Sequence, residues 1–99
     1  MSYGYIGSMK TQPGRRDAVL AILVSGLDRL KEMGCFEYTV GAALDDQVTI
    51  WTSEVWIDKA HHDAALLLPE VKEAIAQAIP MLSGEFRSIE TTVKGRIER

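Results

Sequence analysis

The sequence predicts an α+β domain whose segments follow the order βαββαβ. Three observations predict it. A long helical pattern follows the first strand, two strand-like segments are joined by a short polar turn, and a second helical region precedes the last strand. A chain of 99 residues is long enough for one hydrophobic core, so we expect residues 1–99 to form a single domain.

The first strand and helix are marked by their boundary residues. Tyr3–Lys10 is predicted to be a strand, and Pro13 with Gly14 predicts the turn at which the first helix begins. Residues 15–33 are predicted to form one helix, and Gly34 is placed as expected of a C-terminal glycine. The residues that recur with helical period are Val19, Leu20, Leu23, Leu27 and Leu30.

The second and third strands are predicted to form a hairpin. Cys35–Leu44 and Val48–Ile57 have the composition of strands, and Asp45–Gln47 predicts a tight connection between them. Cys35 is the one cysteine, so it has no partner for an internal disulfide or a CxxC motif. We interpret it as a small buried apolar residue.

The second helical region is predicted to consist of two pieces. Asp58 is a natural N-cap for a helix that begins at Lys59. Pro69 interrupts this helix and is suited to the first turn of the next piece, which Pro80 helps to end. Phe86–Lys94 is the last predicted strand, and residues 95–99 are expected to form a frayed tail or one that embraces a partner.

This order of elements predicts a ferredoxin-like fold with a four-stranded antiparallel sheet. Right-handed crossovers place both helical regions on the same face of the sheet. The third strand is nevertheless apolar on both sides. Val48, Ile50 and Trp56 point one way, and Trp51, Val55 and Ile57 point the other. We therefore predict a homodimer that packs sheet against sheet, the alternative being half-exposed aromatic residues on a monomer.

Charge and missing motifs exclude several classes of protein. The net charge of −3 and the dispersed basic residues argue against a nucleic-acid partner. No apolar stretch approaches the ~20 residues of a membrane helix, and the N-terminus lacks a signal-peptide pattern, so we expect a cytoplasmic protein. No glycine-rich phosphate loop follows the first strand. We therefore predict no nucleotide or flavin cofactor.

The segment between the third strand and the second helical region contains the residues best suited to chemistry. Glu54 and Trp56 share one strand face, and His61 and His62 follow in the first turns of the helix. Adjacent helical residues diverge by about 100°, so the two histidines cannot bind one metal ion together. We predict no metal site. One histidine is expected to face the interior, unless one only caps the helix and the other is solvated.

The same segment resembles a known family. The run Glu54-Val55-Trp56-x-x-Lys59-x-His61-His62-Asp63-Ala64-x-Leu66-x-Leu68-Pro69-x-Val71 is similar to the corresponding segment of antibiotic biosynthesis monooxygenase domains, in particular small bacterial proteins of the quinol monooxygenase type. The similarity in segment order extends from Tyr3 to Lys94. It implies a dimeric α+β barrel with an apolar pocket between sheet and helices. It also implies oxidation of phenolic or polycyclic aromatic substrates by O₂ without flavin, haem or metal.

On this resemblance we predict a site for a small phenolic or quinol-type substrate. His61 or His62 would be the catalytic base, and Glu54 would orient the base or a substrate hydroxyl. The residues expected to bind the substrate are Trp56, Tyr5, Tyr38, Leu66 and Leu67. A non-catalytic or stress-linked module that binds a small aromatic molecule is the alternative. Haem degradation is less favoured, because the first strand lacks the Asn and the helix lacks the Trp of haem-degrading relatives.

Overall fold

The computed structural model describes residues 2–97 and confirms the α+β, ferredoxin-like fold. Its sheet has four antiparallel strands in the order β2-β3-β1-β4. The strands are β1 (Tyr3–Thr11), β2 (Cys35–Ala42), β3 (Thr49–Trp56) and β4 (Leu82–Thr92). The helices are α1 (Arg16–Val24), α2 (Leu27–Glu32), α3 (Lys59–Ala65) and α4 (Pro69–Ala78), followed by a 3₁₀ turn at Ile79–Met81. Among the described residues, no helix is long and apolar enough to span a membrane.

The long helix predicted over residues 15–33 is in fact two helices. Ser25 and Gly26 separate α1 from α2, and the hydroxyl of Ser25 donates to the carbonyl of Ile22 at 2.7 Å. Gly26 has backbone angles of φ −111° and ψ 16°, outside the helical region. A glycine inside a helix costs about 1 kcal/mol relative to alanine, so the break falls where the helix is weakest. The helix also begins later than Pro13 suggested, at Arg16.

The loop between β2 and β3 is longer than the tight turn that was predicted. It covers residues 43–48, because β2 ends at Ala42 and β3 begins at Thr49. The carboxylate of Asp46 closes the loop by accepting hydrogen bonds from the backbone N–H groups of Val48 and Thr49 at 2.9 and 2.7 Å. These side-chain contacts hold a loop that is longer than the predicted connection at Asp45–Gln47.

The last strand begins earlier than predicted, at Leu82 instead of Phe86. Leu82 pairs with Thr11 across an irregularity in the register, and Gly84 adopts a positive φ of 91°. A positive φ of this kind lets a strand bulge and still continue, which the sequence pattern did not indicate. Of the predicted tail, Glu98 and Arg99 lie outside the described residues.

Three predicted boundary residues are confirmed. Gly34 follows the α2 region with a positive φ of 98°. The carboxylate of Asp58 caps α3 by accepting from the backbone N–H of His61 at 2.8 Å. Pro69 is the first residue of α4. All three are set by local backbone chemistry, which explains why they are readable from sequence.

The hydrophobic core lies between the helices and one face of the sheet. Ile50 is completely buried beside Val19 of α1 and Ala78 of α4, and Trp56 is 1% exposed beside Ala65 of α3. Ile50 and Trp56 are an even number of positions apart on β3, so α1, α3 and α4 cover the same face.

The side of the sheet away from the helices is here called the open face, and it carries Ile6, Trp51 and Ile89. Trp51 is 49% exposed and Ile89 is 59% exposed. Val55 also points to this side, but it is only 8% exposed and pairs with Gly4, over which Val93 packs. The apolar open face agrees with the pattern from which a second subunit was predicted.

We expect Gly34→Ala to lower the free energy of unfolding by about 1–2 kcal/mol, because an L-residue is strained at this φ. The new Cβ would also lie 3.0 Å from His61 and from Ile57. Gly26→Ala is the matched control, since its φ is negative and its Cβ would meet no atom within 4 Å. Urea denaturation measures both variants, and equal losses would contradict the assignment of strain to Gly34.

Candidate functional site

The candidate site lies where α3 packs against the beginning of β1 and the end of β3. Asp58 fixes the first turn of α3, and this sets the direction in which each following side chain points. His62 is directed inward and is 8% exposed, whereas the side chain of His61 is 46% exposed. The structure thus separates two histidines that the sequence left equivalent.

Aromatic rings surround the imidazole of His62. The ring centroids of Tyr3 and Tyr5 lie 5.2 Å from it, with Tyr5 nearly parallel at an interplanar angle of 25°. The indole of Trp56 meets it edge-on at 5.5 Å and 88°. Stacked and edge-on contacts between rings are favourable, and together they hold the imidazole in one orientation.

A buried carboxyl group, Glu54, lies beside this cluster. Its Oε1 accepts a hydrogen bond from Nε1–H of Trp56 at 2.9 Å and lies 3.9 Å from Nε2 of His62. Burial raises the pKa of Glu54, while the hydrogen bond from Trp56 and the nearby His62 act in the opposite direction. A buried carboxyl group with a raised pKa beside a histidine is a candidate for holding or releasing a proton in a reaction.

The other nitrogen of His62 faces a second carboxylate. Nδ1 lies 3.0 Å from Oδ1 of Asp63, and this hydrogen bond lowers the pKa of Asp63. An ionised carboxylate can only accept, so Nδ1 must carry the proton that is shared with it. Nε2 of neutral His62 is then left with a free lone pair on the side of Glu54.

A series of polar contacts connects Asp63 on α3 with Glu90 on β4 and Tyr3 on β1. Nζ of Lys59 lies 3.6 Å from Oδ2 of Asp63 and 3.0 Å from Oε2 of Glu90 on β4. The hydroxyl of Tyr3 donates to the same oxygen of Glu90 at 2.7 Å. The side chains of α3, β4 and β1 are therefore joined in one chain of polar contacts, which ends on a ring that touches His62.

Tyr5 and Tyr38, both predicted to bind substrate, lie on either side of Glu54. Tyr5 pairs with Glu54 across β1 and β3, and Tyr38 pairs with it across β2 and β3. Burial raises the pKa of Tyr38, which keeps its hydroxyl protonated. Cys35 lies behind Trp56, where burial raises the pKa of its thiol to about 11.

The remaining predicted site residues lie away from this cluster. Leu66 and Leu67, which directly follow α3, are 43% and 68% exposed. His61 pairs through Nδ1 with Asp58 at 2.7 Å and faces a cleft of about 790 Å³ that is lined mainly by α2 and the beginning of β2, with Tyr38 also in its lining. Within residues 2–97, no three His, Cys, Asp or Glu side chains are grouped closely enough to hold a metal ion.

Two residues of the cluster were missed in the sequence. Tyr3 is two positions before Tyr5 and shares its strand face, so the period of the strand would have placed it beside Tyr5. Asp63 is the residue after His62, and neighbours on a helix are not expected to face each other. In the structure, Nδ1 of His62 nevertheless lies 3.0 Å from Oδ1 of Asp63.

Comparisons with known proteins point to one family. A family model described as antibiotic biosynthesis monooxygenase matches residues 2–77. A solved structure from Chloroflexus aurantiacus, ascribed to the same family, shares 37% identity and a TM-score of 0.82, covering 99% of this chain and 100% of its own. No curated protein matches the sequence.

More distant structures share the fold alone. A conserved protein from Methanosarcina mazei is 20% identical with a TM-score of 0.83, covering 95% of this chain and 94% of its own. A Mycobacterium tuberculosis protein is 16% identical with a TM-score of 0.83, covering 99% of this chain and all of its own. Identities at this level support the architecture and carry no information on substrate.

Proposed function

The chain belongs to the antibiotic biosynthesis monooxygenase family, and on this premise we propose that it oxidises a small phenolic or quinol-type aromatic substrate with O₂, without a resident cofactor. The observation that carries the proposal is the environment of His62. It is a buried imidazole with Nδ1 held by Asp63, Nε2 free, and aromatic rings on its sides. His62 is the proposed base.

Removal of the phenolic proton is the step that the site must assist. A phenol of pKa near 10 that gives its proton to an ordinary histidine of pKa near 6.5 does so about 5 kcal/mol uphill. Hydrogen-bond donors in a dry site can offset part of this cost by stabilising the phenolate. The candidate donors are the hydroxyl of Tyr38, which flanks Glu54 and stays protonated, and the carboxyl group of Glu54 in its protonated form.

The electrons of the proposed reaction all come from the substrate. In a quinol, one ring C–H bond becomes C–OH and the two hydroxyl groups become carbonyls, which releases four electrons. These reduce O₂, with one oxygen atom entering the new hydroxyl group and the other leaving as water. The two hydroxyl protons end in the water that leaves: His62 accepts one at Nε2 and returns it to the departing oxygen, and the second quinol hydroxyl group releases the other to the same oxygen. The hydrogen of the ring C–H bond ends on the new hydroxyl group.

The test is a measurement of oxygen uptake with a menadiol-like quinol. We expect one O₂ consumed per quinol, above the rate of autoxidation in buffer, and a hydroxyquinone that contains one ¹⁸O atom when ¹⁸O₂ is supplied. Hydrogen peroxide without ¹⁸O in the product would contradict the monooxygenase reaction. Saturable binding without turnover would contradict the oxygenase proposal. It would favour the alternative, a non-catalytic module that binds a small aromatic ligand.

We further propose that the protein is a homodimer that pairs through the open face. The support is the set of apolar side chains that the helices leave uncovered, with Trp51 and Ile89 about half exposed. Solvent-exposed apolar groups gathered on one sheet face are typical of a protein interface. The family resemblance favours the same arrangement.

A further inference from the structure

We propose that Asp63 is the positioning residue of His62: its carboxylate keeps the proton on Nδ1 and directs the unprotonated Nε2 toward Glu54. This inference rests on the proposed function of His62 as the base. The sequence pattern gave Asp63 no role, since it follows His62 directly on the same helix. The geometry assigns it one.

The two carboxylate oxygens of Asp63 have different partners, one in the interior and one at the surface. Oδ1 lies 3.0 Å from Nδ1 of His62, and Oδ2 lies 3.6 Å from Nζ of Lys59. The side chain of His62 is 10% exposed, whereas that of Asp63 is 51% exposed. A carboxylate that water reaches stays ionised at neutral pH, and an ionised carboxylate has only acceptors to offer the imidazole.

The polar contacts beyond Asp63 hold its carboxylate in place. Lys59 binds Asp63 on one side and Glu90 on the other, and Glu90 accepts the hydroxyl of Tyr3. Because Tyr3 also contacts the imidazole, the chain of contacts begins and ends at His62. A loop of contacts that closes on one ring restricts its rotation more than a single hydrogen bond does.

The chain contains its own comparison for this arrangement. Nδ1 of His61 lies 2.7 Å from Oδ1 of Asp58, so both histidines have a carboxylate at the same ring nitrogen. Only His62 carries the aromatic contacts and a buried carboxyl group near Nε2. Asp58→Asn is therefore a matched control, and asparagine caps a helix as well as aspartate does.

The test is the ¹⁵N NMR spectrum of the two histidines in tag-free protein, read together with quinol turnover. In wild-type protein we expect His62 in the form protonated at Nδ1. Asp63→Ala removes the acceptor at Nδ1 and should move the proton to Nε2. Asp63→Asn should do the same by turning its amide N–H toward Nδ1, because the neutral amide oxygen holds the Nδ1 proton less strongly than a carboxylate does. We expect kcat/KM to fall by about tenfold, less than for a fully buried triad carboxylate.

The controls separate positioning from a general effect of charge. Asp58→Asn should change the signals of His61 only and leave kcat/KM unaltered. Lys59→Gln removes the ion pair but should keep the proton of His62 on Nδ1. An unchanged His62 spectrum in both Asp63 variants would overturn the inference. A changed spectrum with full turnover would support the positioning role and overturn His62 as the base, which distinguishes the two proposals.

Discussion

Replacing His62 with alanine is expected to lower kcat/KM for a menadiol-like quinol by at least about tenfold, whereas His61→Ala should change it by less than about twofold. General base catalysis typically contributes about 10²–10⁴-fold, so loss of the base is visible even if water replaces it in part. His62 is buried among aromatic rings, and His61 is a half-exposed partner of the cap residue Asp58. Oxygen uptake at several quinol concentrations measures both variants.

Two further measurements test whether a loss of activity comes from the missing base or from a change in fold. His62→Gln keeps a long polar side chain and good helix propensity but has no base of suitable strength, so it should be as slow as His62→Ala. Free imidazole added to His62→Ala should restore part of the rate by occupying the space of the missing ring. Wild-type turnover in both single alanine variants would remove histidine from the mechanism.

Replacing Trp51 with lysine is expected to weaken the proposed dimer by about a thousandfold. A central aromatic residue typically contributes at least about 2 kcal/mol to an interface, and two-fold symmetry places the substitution in it twice. At about 1.4 kcal/mol per tenfold change, the loss of about 4 kcal/mol gives this factor. Sedimentation velocity should show a particle near the chain mass of 11.0 kDa where the wild type sediments as twice that mass.

The matched control for Trp51 is Val24→Lys. Val24 is 50% exposed, nearly the same as Trp51, but it lies in the last turn of α1, on the helix side. A lysine near a helix C-terminus is favourable, so the control should fold normally and remain dimeric. If wild-type protein sediments as a monomer, or if the two variants dissociate alike, the open face is not the interface.

The features that the sequence predicted well are set by neighbouring residues. The cap at Asp58, the positive φ of Gly34 and the helix start at Pro69 each depend on the chemistry of one residue and its nearest neighbours. The order of strands follows from the same local signals, together with the right-handed crossover rule. This is why the fold class could be predicted from a single sequence.

The features that were missed depend on contacts between distant segments. The apolar stripe of the first helix continues past Ser25 and Gly26, so its period hides the break between α1 and α2. The start of α3 was predicted at the right residue, but the choice between His61 and His62 depends on which side of α3 packs against Tyr3 and Tyr5 on a distant strand. The ion pair between Lys59 and Glu90 joins residues far apart in the chain, and no spacing rule anticipates it.

The burial of Cys35 behind Trp56 bears on how the chain would resist damage from the proposed oxidation. Reactions of O₂ with quinols also generate hydrogen peroxide, which oxidises cysteine through the thiolate form. With a pKa of about 11, the thiol of Cys35 is almost entirely protonated at neutral pH, and its side chain is shielded from solvent. The one sulfhydryl group of the chain is therefore kept in its unreactive state next to the site proposed for quinol oxidation.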